Sequence, residues 1–428
     1  MKWQFRYMVI LISSLLLVAL GFVLWTSTQK KILRIGVYAG SSWDVPNSRE
    51  NRILDNIIRQ FEKSHPQVRV VYESGIPKKD YDGWLAEKIL KGEQPDVFMV
   101  PENDFSMLAA SGAFKSLDSL LSKDEVAAYY PVAYQAGQYQ GHSYALPIES
   151  NPVMMCVNKD LLEKEGVSIP DSNWTLEDLY AICQKVTKDT NGDGLIDQYG
   201  ITDYTWKQAL VAYNGHLRNQ SGVNVDSAEM HQALSFISKL TSLNQRYKVT
   251  SNDFDEGKVA FYPMSLAQYR TYKPYPYHVA KYSRFSWTCI PMPAAKAGIP
   301  ATQVKTSLFA MSSKTKQDKL AWEFMKLLCQ NQKNQQELFA KSQGTSVLTS
   351  VVKSSQTKKI LQADDFGLNS LTSQRLDHMM KHSVLDISRD VDYHSLERID
   401  HLLENALKNN EIDSRLPSIQ REMEETGK

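Results

Sequence analysis

Short oxygen-bearing side chains alternate along residues 189–200 in the pattern of a calcium-binding loop. A metal there would be held by the first, third, fifth and ninth side chains and by the seventh backbone carbonyl. These positions are Asp189, Asn191, Asp193, Asp197 and, for the carbonyl, Leu195. Gly194 at the sixth position permits the sharp turn that such a loop needs. We therefore predict a structural Ca²⁺ at this loop, remote from any ligand.

The twelfth position of the same loop departs from the pattern. Gly200 stands where a high-affinity site carries a bidentate glutamate. The expected affinity is lower for that reason. A solvated, glycine-rich turn without metal is the competing interpretation.

Composition bounds the class of protein. The 428 residues are 42% hydrophobic and 23% charged, which is ordinary for a soluble chain of two or three domains. With 49 basic and 48 acidic side chains there is no basic field for a polyanion, so nucleic acid is not an expected partner. The four cysteines are widely spaced and predict neither a zinc site nor a disulfide scaffold, and we expect buried, inert thiols.

The N-terminal segment, residues 1–31, predicts export. Lys2 and Arg6 precede an apolar run over residues 8–25, which is just long enough to cross a bilayer. No Ala-x-Ala cleavage pattern follows it. We favour an uncleaved membrane anchor with the body of the protein outside the cell, and a cleaved secretion signal is the alternative.

Strands and helices alternate after this segment. Apolar patterns predict strands at residues 32–39, 68–72 and 95–100, with amphipathic helices at 51–64 and 81–90 between them. Such alternation favours a parallel α/β sheet covered on both faces, whose ligands lie beyond the carboxyl ends of the strands. Further helices are predicted at residues 176–186, where Thr175 and Asp178 form a capping box, and at 227–243, 317–329 and 395–409.

Several short motifs then occur in a characteristic order. They are Pro-Asp-Val at 95–97, Gly-x-Phe-x-x-Leu at 112–117, Tyr-x-Leu-Pro at 144–147, Asn-Lys-Asp-Leu at 158–161, Trp-Thr-x-x-Asp-Leu at 174–179, the 189–200 loop, Phe-x-x-Gly-Lys-Val-Ala at 254–260 and Ala-Trp-Glu-Phe at 321–324. Together they resemble the extracellular solute-binding proteins of ABC importers, in the group that includes the maltodextrin-binding protein. The resemblance extends from residue 32 to about residue 425.

This resemblance implies an α/β fold of the type II periplasmic-binding-protein kind, with two lobes, a hinge of several crossing segments and a ligand cleft between the lobes. We expect residues 32–148 and 265–311 in the first lobe and residues 152–262 and 314–428 in the second. The crossings are expected near residues 148–152, 262–265 and 311–314.

A sugar cleft needs aromatic platforms with carboxylates and amides at their rims. The candidate ligand-binding residues are Trp43, Asp44, Glu102, Asn103, Glu149, Asn151, Trp206, Tyr262, Tyr269 and Trp287. The tryptophan that many sugar binders carry after the 254–260 motif is absent, so Tyr262, Tyr269 or other rings must replace it. For Trp43 a lid or rim position, for Glu149 and Asn151 a hinge hydrogen bond, and for Trp206 core packing are the competing interpretations.

The expected function is that of a membrane-tethered, monomeric receptor that binds a carbohydrate, by expectation an oligosaccharide, and delivers it to an ABC permease. A ligand-binding partner of a membrane sensor kinase is the alternative, because the anchor is retained and no lipidated cysteine is present. A glycan-cleaving enzyme would need opposed carboxylates, and only Glu102 and Glu149 would suit. We expect no enzyme, and the sequence does not name the sugar.

Overall fold

The computed structural model describes residues 30–43, 50–101, 103–219, 222–245, 247–271, 285–363, 371–389 and 391–426. Its strands are β1 (Lys31–Gly36), β2 (Val68–Tyr72), β3 (Val97–Met99), β4 (Gln138–Tyr139), β5 (His142–Ser143), β6 (Ala145–Asn158), β7 (Tyr199–Ile201), β8 (Arg218–Asn219), β9 (Gly222–Val223), β10 (Val259–Ser265), β11 (Trp287–Ile290), β12 (Thr302–Met311), β13 (Thr345–Ser346) and β14 (Ser383–Leu385).

Its helices are α1 (Glu50–Ser64), α2 (Lys78–Leu90), α3 (Phe105–Ala110), α4 (Lys123–Ala127), α5 (Pro131–Ala136), α6 (Lys159–Lys164), α7 (Leu176–Val186), α8 (Trp206–Ala212), α9 (Ala228–Ser242), α10 (Ser251–Asp255), α11 (Leu266–Thr271), α12 (Asp318–Cys329), α13 (Gln332–Lys341), α14 (Thr349–Val352), α15 (Ser355–Ala363), α16 (Ser373–Lys381), α17 (Tyr393–Asn409) and α18 (Ile412–Thr426). The predicted helices are all present within a few residues. The capping box at Thr175 and Asp178 is confirmed, since each side chain accepts the other residue's backbone N–H.

The main sheet is mixed: the three strands from which the sequence predicted a parallel sheet are parallel, and the two long strands beside them run antiparallel. Strands β2, β1 and β3 are parallel, as the alternation of strands and helices requires. Both β12 against β3 and β6 against β12 run antiparallel. These two long strands come from outside the repeating strand–helix pattern and enter the sheet from the other lobe, so their direction is not set by that pattern.

Strand β6 belongs to both lobes. Its first half pairs with β12, ending at Pro152 opposite Val304, and its second half pairs with β10 and β11 from Val153 onwards. We call the part built on β1, β2, β3 and the first half of β6 the first lobe, and the part built on β7, β10, β11 and the second half of β6 the second lobe. Of the two core clusters, the first contains the buried residues of the first-lobe strands, whereas the second-lobe strands contribute to both, with Cys289 in the first cluster and Phe261 in the second.

The chain crosses between the lobes at β6, at the end of β10 and at the start of β12. The first two places are those that the sequence predicts. The third is not, because Met311 pairs with Val97 deep in the first lobe and the Ser312 amide donates to the Asp96 carbonyl at 2.9 Å. The crossing on β12 lies instead around Thr302, beside the second-lobe core residue Ala301.

Two further segments depart from the predicted lobe boundaries. Strand β11 pairs with the second half of β6, which places it in the second lobe. Helices α12 to α16 pack into the first-lobe core, since β13 pairs with β6 at Glu149 and Ser150 and holds this segment there. The other predicted lobe boundaries remain predictions.

Within the described part of the chain, no helix is both long enough and apolar enough to cross a membrane. The predicted anchor at residues 8–25 lies outside that part.

Candidate functional site

Polar residues collect at one edge of the first-lobe sheet, where the crossing strands leave it. Asn103 follows the carboxyl end of β3, and it lines a cavity together with Lys305 and Thr306 of β12. In the register of the sheet Lys305 lies opposite Asn151 of β6. This is the edge at which α/β sheets bind ligands.

A neighbouring cavity of about 320 Å³ connects this edge with the second lobe. It is lined by Gln135 of α5 on the first-lobe side and by Asn214 and His216 after α8 on the second. Asp386 and Arg389 line both cavities. Polar groups from both lobes and from a crossing strand therefore line two adjoining cavities.

Arg389 is a member of this site that the sequence did not reveal. Its guanidinium donates to the Ala136 carbonyl at 2.9 Å and lies 5.3 Å from the centre of the Phe105 ring. Both contacts join residues far apart in the sequence, and no local motif surrounds Arg389. The only signal was its charge, which is shared by many surface residues.

Glu149 is buried at the same edge of the sheet. Its carboxylate accepts a hydrogen bond from the Gly344 amide at 2.7 Å and another from the Ser342 hydroxyl. Burial is the largest influence and raises its pKa to about 7, while these two donors, Trp43 and Arg270 act in the opposite direction. Glu149 thus anchors the segment before β13 within the first lobe.

Arg270 of α11 is a second residue that the sequence did not reveal. It donates to the backbone carbonyls of Phe339 and Gly344 at 2.9 and 3.0 Å, and its guanidinium stacks 4.8 Å from the Phe339 ring centre. Since α11 directly follows the crossing at the end of β10, Arg270 joins that crossing to the segment that holds Glu149.

Trp43 is buried, with 8% of its surface exposed, and lies close to Glu149. Its indole favours the charged form of the Glu149 carboxylate, although the Nε1–H makes no hydrogen bond of ordinary geometry. The ring is therefore not displayed as an open platform. Asp44 and Glu102, the other candidates at these strand ends, lie outside the described residues.

Asn151 acts across the crossing. It is 5% exposed, and its Oδ1 accepts a hydrogen bond from the Ala267 amide at the start of α11 at 2.9 Å. The bond ties β6 to the segment that follows β10. It favours the hinge interpretation for this residue.

Replacing Asn151 with alanine is expected to lower the free energy of unfolding by about 1–3 kcal/mol, because the buried Ala267 amide loses its acceptor. Asn151→Asp, which keeps an oxygen acceptor, is the matched variant and should lose less. Urea unfolding followed by circular dichroism measures both. Equal losses in the two variants would contradict a role for this hydrogen bond.

The predicted ring platforms are mostly buried. Trp206 lies in the second core with 4% exposed, and its Nε1 donates to Asp400 at 2.7 Å, which favours core packing. Tyr269 and Trp287 are 1% and 2% exposed, and the centres of their rings lie 5.4 Å apart.

Tyr262 differs from these rings because it is only partly buried. Burial, together with the neighbouring Asp203, raises the pKa of its hydroxyl to about 12, so it stays a protonated donor at neutral pH. Among the predicted rings within the described residues, Tyr262 is the most exposed, and its contact with a ligand stays a prediction.

Residues 189–197 of the loop are exposed or half-buried, and their side chains accept hydrogen bonds from the loop's own backbone. Asp189 accepts from the amides of Gly192 and Gly194 at 2.7 Å each, and these bonds hold the pKa of its carboxyl below the ordinary value. Asp197 accepts from the Thr190 amide at 2.8 Å. Across the described residues, no three or more histidine, cysteine or acidic side chains are grouped to hold a metal.

The glycine at the twelfth loop position has a packing reason. A Cβ on Gly200 would lie 2.5 Å from Cβ and 2.6 Å from Sγ of Cys183, because β7 packs directly on α7. A glutamate cannot be accommodated there. The missing ligand in the sequence pattern thus reflects helix–strand packing.

Calcium at this loop stays a prediction with a direct test. If the loop binds the ion, millimolar Ca²⁺ added to metal-free protein should raise the melting temperature, because the ion stabilises only the folded state. Asp193→Asn should abolish the rise, and Asp171→Asn, at an exposed aspartate outside the loop, should not. A melting temperature independent of Ca²⁺ would contradict the prediction.

Comparison with known proteins gives the family. A model of the bacterial extracellular solute-binding protein family matches residues 56–364. The maltotriose-binding protein of Pyrococcus abyssi is 25% identical over 138 residues, and the match covers 32% of this chain and only 30% of that relative.

Solved structures show the same fold. The sugar-binding protein MalE of Xanthomonas citri superposes with a TM-score of 0.73 at 15% identity, covering 92% of this chain and 97% of that one. An ABC substrate-binding protein of Listeria monocytogenes, solved with cycloalternan, superposes with a TM-score of 0.63 at 18% identity, covering 93% and 99%. With the family match across most of its length, the chain belongs to the bacterial extracellular solute-binding protein family.

Proposed function

We propose that this protein binds an oligosaccharide between its two lobes and delivers it to an ABC permease. The observation that carries the proposal is the pair of adjoining cavities at the crossing strands, which polar groups of both lobes line. Amide, imidazole and guanidinium groups are the partners that sugar hydroxyls need. The ligands named for its relatives, maltotriose and cycloalternan among them, support the choice of a carbohydrate.

The family is one of binding proteins, which confirms the prediction that the chain is not an enzyme. The geometry gives Glu149 a different task from catalysis, since its carboxylate is buried and engaged by Ser342 and Gly344.

The mechanism we propose is a population shift. A sugar that contacts Asn103 and Arg389 on one side and the loop after α8 on the other gains contacts only when the lobes approach. It therefore favours the closed form, which a permease can distinguish from the open one. A tether at residues 8–25 and a monomeric state belong to the same proposal.

Thermal shift of the full-length protein with a panel of glycans tests the sugar role. We expect at least one among maltotriose, maltotetraose, cycloalternan and mannotriose to raise the melting temperature. Asn103→Ala should weaken binding of that glycan about tenfold in calorimetry, because a hydrogen bond in the cleft is lost. Asn405→Ala, on the exposed face of α17, is the matched control and should bind normally.

No stabilisation by any of these glycans would count against a carbohydrate ligand. The choice of partner has a separate test. Purification of the tethered protein from its native membrane should bring down permease subunits, and recovery of a sensor kinase in their place would contradict the transport role.

A further inference from the structure

Two of the four cysteines meet in the second lobe, although 133 positions separate them in the sequence. Cys289 on β11 lies directly opposite Cys156 on β6 in the antiparallel register, and their Sγ atoms are 3.4 Å apart. Both thiols are fully buried. Directly opposed positions of antiparallel strands bring Cβ atoms close to the separation that a disulfide spans.

We propose that Cys156 and Cys289 form a disulfide bond in the oxidising environment outside the cell, and that this bond fixes β11 to β6. The proposal rests on the extracellular location and is independent of the ligand. The oxidant is a small-molecule disulfide, such as oxidised glutathione. The two protein thiols lose two electrons and two protons in forming the S–S bond, and the small disulfide accepts them and becomes two thiols.

The change of geometry that the bond needs is small. A disulfide holds its sulfurs about 2.05 Å apart, so the two Sγ atoms must approach by only about 1.4 Å. They lie on neighbouring strands of one sheet, and each strand has the other as a partner from Trp287 opposite Asn158 to Ile290 opposite Met155. The register therefore holds the two residues opposite each other before any bond exists.

In the folded protein, these two thiols are expected to react only slowly with an oxidant. Burial, and then the neighbouring thiol of Cys289, raise the pKa of Cys156, which disfavours the reactive thiolate. We therefore expect the bond to form during folding, while both thiols are still accessible. Once formed, it closes a long loop of the chain, and such cross-links restrict the unfolded state most.

Cys183 and Cys329 provide the internal control. They are buried thiols on α7 and α12, in the second-lobe and first-lobe cores respectively. No strand pairing places either one opposite another cysteine in the described part of the chain. The structure thus separates the pair Cys156 and Cys289 from the two single thiols, Cys183 and Cys329, whereas the sequence pattern predicts the same buried thiol for all four.

Counting thiols tests the proposal without any variant. The full-length protein is unfolded, refolded with reduced and oxidised glutathione, and alkylated with iodoacetamide in denaturant without reductant. We expect mass spectrometry to find two alkylated cysteines, Cys183 and Cys329, and a cross-linked peptide pair containing Cys156 and Cys289. Four alkylated cysteines, or a bond between any other pair, would overturn the proposal.

Stability provides the second measurement. Reductant should lower the melting temperature of the refolded protein by at least about 3 °C, since a long-loop disulfide is normally stabilising. The Cys183→Ser/Cys329→Ser variant should keep this response, and the Cys156→Ser/Cys289→Ser variant should lose it. A response that survives in the second variant would contradict the assignment.

Discussion

Replacing Gly344 with alanine is expected to lower the free energy of unfolding by about 2–3 kcal/mol. The new Cβ would lie 2.5 Å from Oε1 of Glu149 and 2.7 Å from its Cγ and Cδ, which real Cβ atoms do not tolerate. Glu149 cannot move away easily, because it is buried and its backbone is paired on both sides, with β12 and β13. Overpacking of such a site costs free energy of this order.

Gly83→Ala is the matched control for this substitution. Gly83 lies on the exposed side of α2, where an added Cβ meets nothing within 4 Å. Alanine there should raise stability by up to about 1 kcal/mol through its higher helix propensity. Chemical unfolding of both variants decides the matter, and similar stabilities would show that Gly344 and Glu149 are not in the close contact described above.

The second large effect concerns pH and Glu149. Burial raises the pKa of this carboxyl from 4.5 to about 7 in the folded protein. Between these two pH values the folded state binds a proton that the unfolded state has released. The contribution is therefore fully present below about pH 4.5 and is lost as the pH rises through about 7. The total loss is on the order of 3 kcal/mol.

Glu149→Gln should remove this dependence, because an amide does not titrate and its oxygen can still accept from Ser342 and Gly344. We expect the difference in unfolding free energy between the variant and the native protein to increase in favour of the variant from pH 5 to pH 8. Glu125→Gln is the control, since the pKa of that capping carboxyl is lowered and it stays charged throughout this range. A pH-independent difference for Glu149→Gln would contradict the raised pKa.

The sequence was informative wherever local chemistry decides the structure. The helix at α7 follows from a capping box and an apolar stripe, both contained in a dozen residues, and the structure confirms it. The order of short motifs predicted the family, which the match over residues 56–364 confirms. The crossing that the resemblance implies near residues 148–152 falls within β6, at the place where its pairing changes from β12 to β10.

The sequence was least informative where distant segments meet. The expected crossing at residues 311–314 was displaced, because the pairing of Met311 with Val97 depends on how β12 enters the sheet. The sequence also did not predict that Cys156 and Cys289 lie opposite each other. Their register is set by β11, which pairs with β6 although more than a hundred residues separate the two strands.

The ligand-binding rings show a related limit. An aromatic residue has the same pattern in the sequence whether it faces a sugar or a core, and Trp206 and Trp287 lie in cores. Arg270 and Arg389 were not predicted because their partners are backbone carbonyls, which every residue possesses.

The central claim is that one carbohydrate contacts both lobes at once, and amide hydrogen exchange tests it most directly. The full-length protein is compared with and without a saturating amount of the glycan that gives the largest thermal shift. We predict slower exchange at residues 103–106 and 304–306 in the first lobe and also at residues 214–218 in the second. Protection confined to one lobe, or no protection with any glycan, would contradict the account.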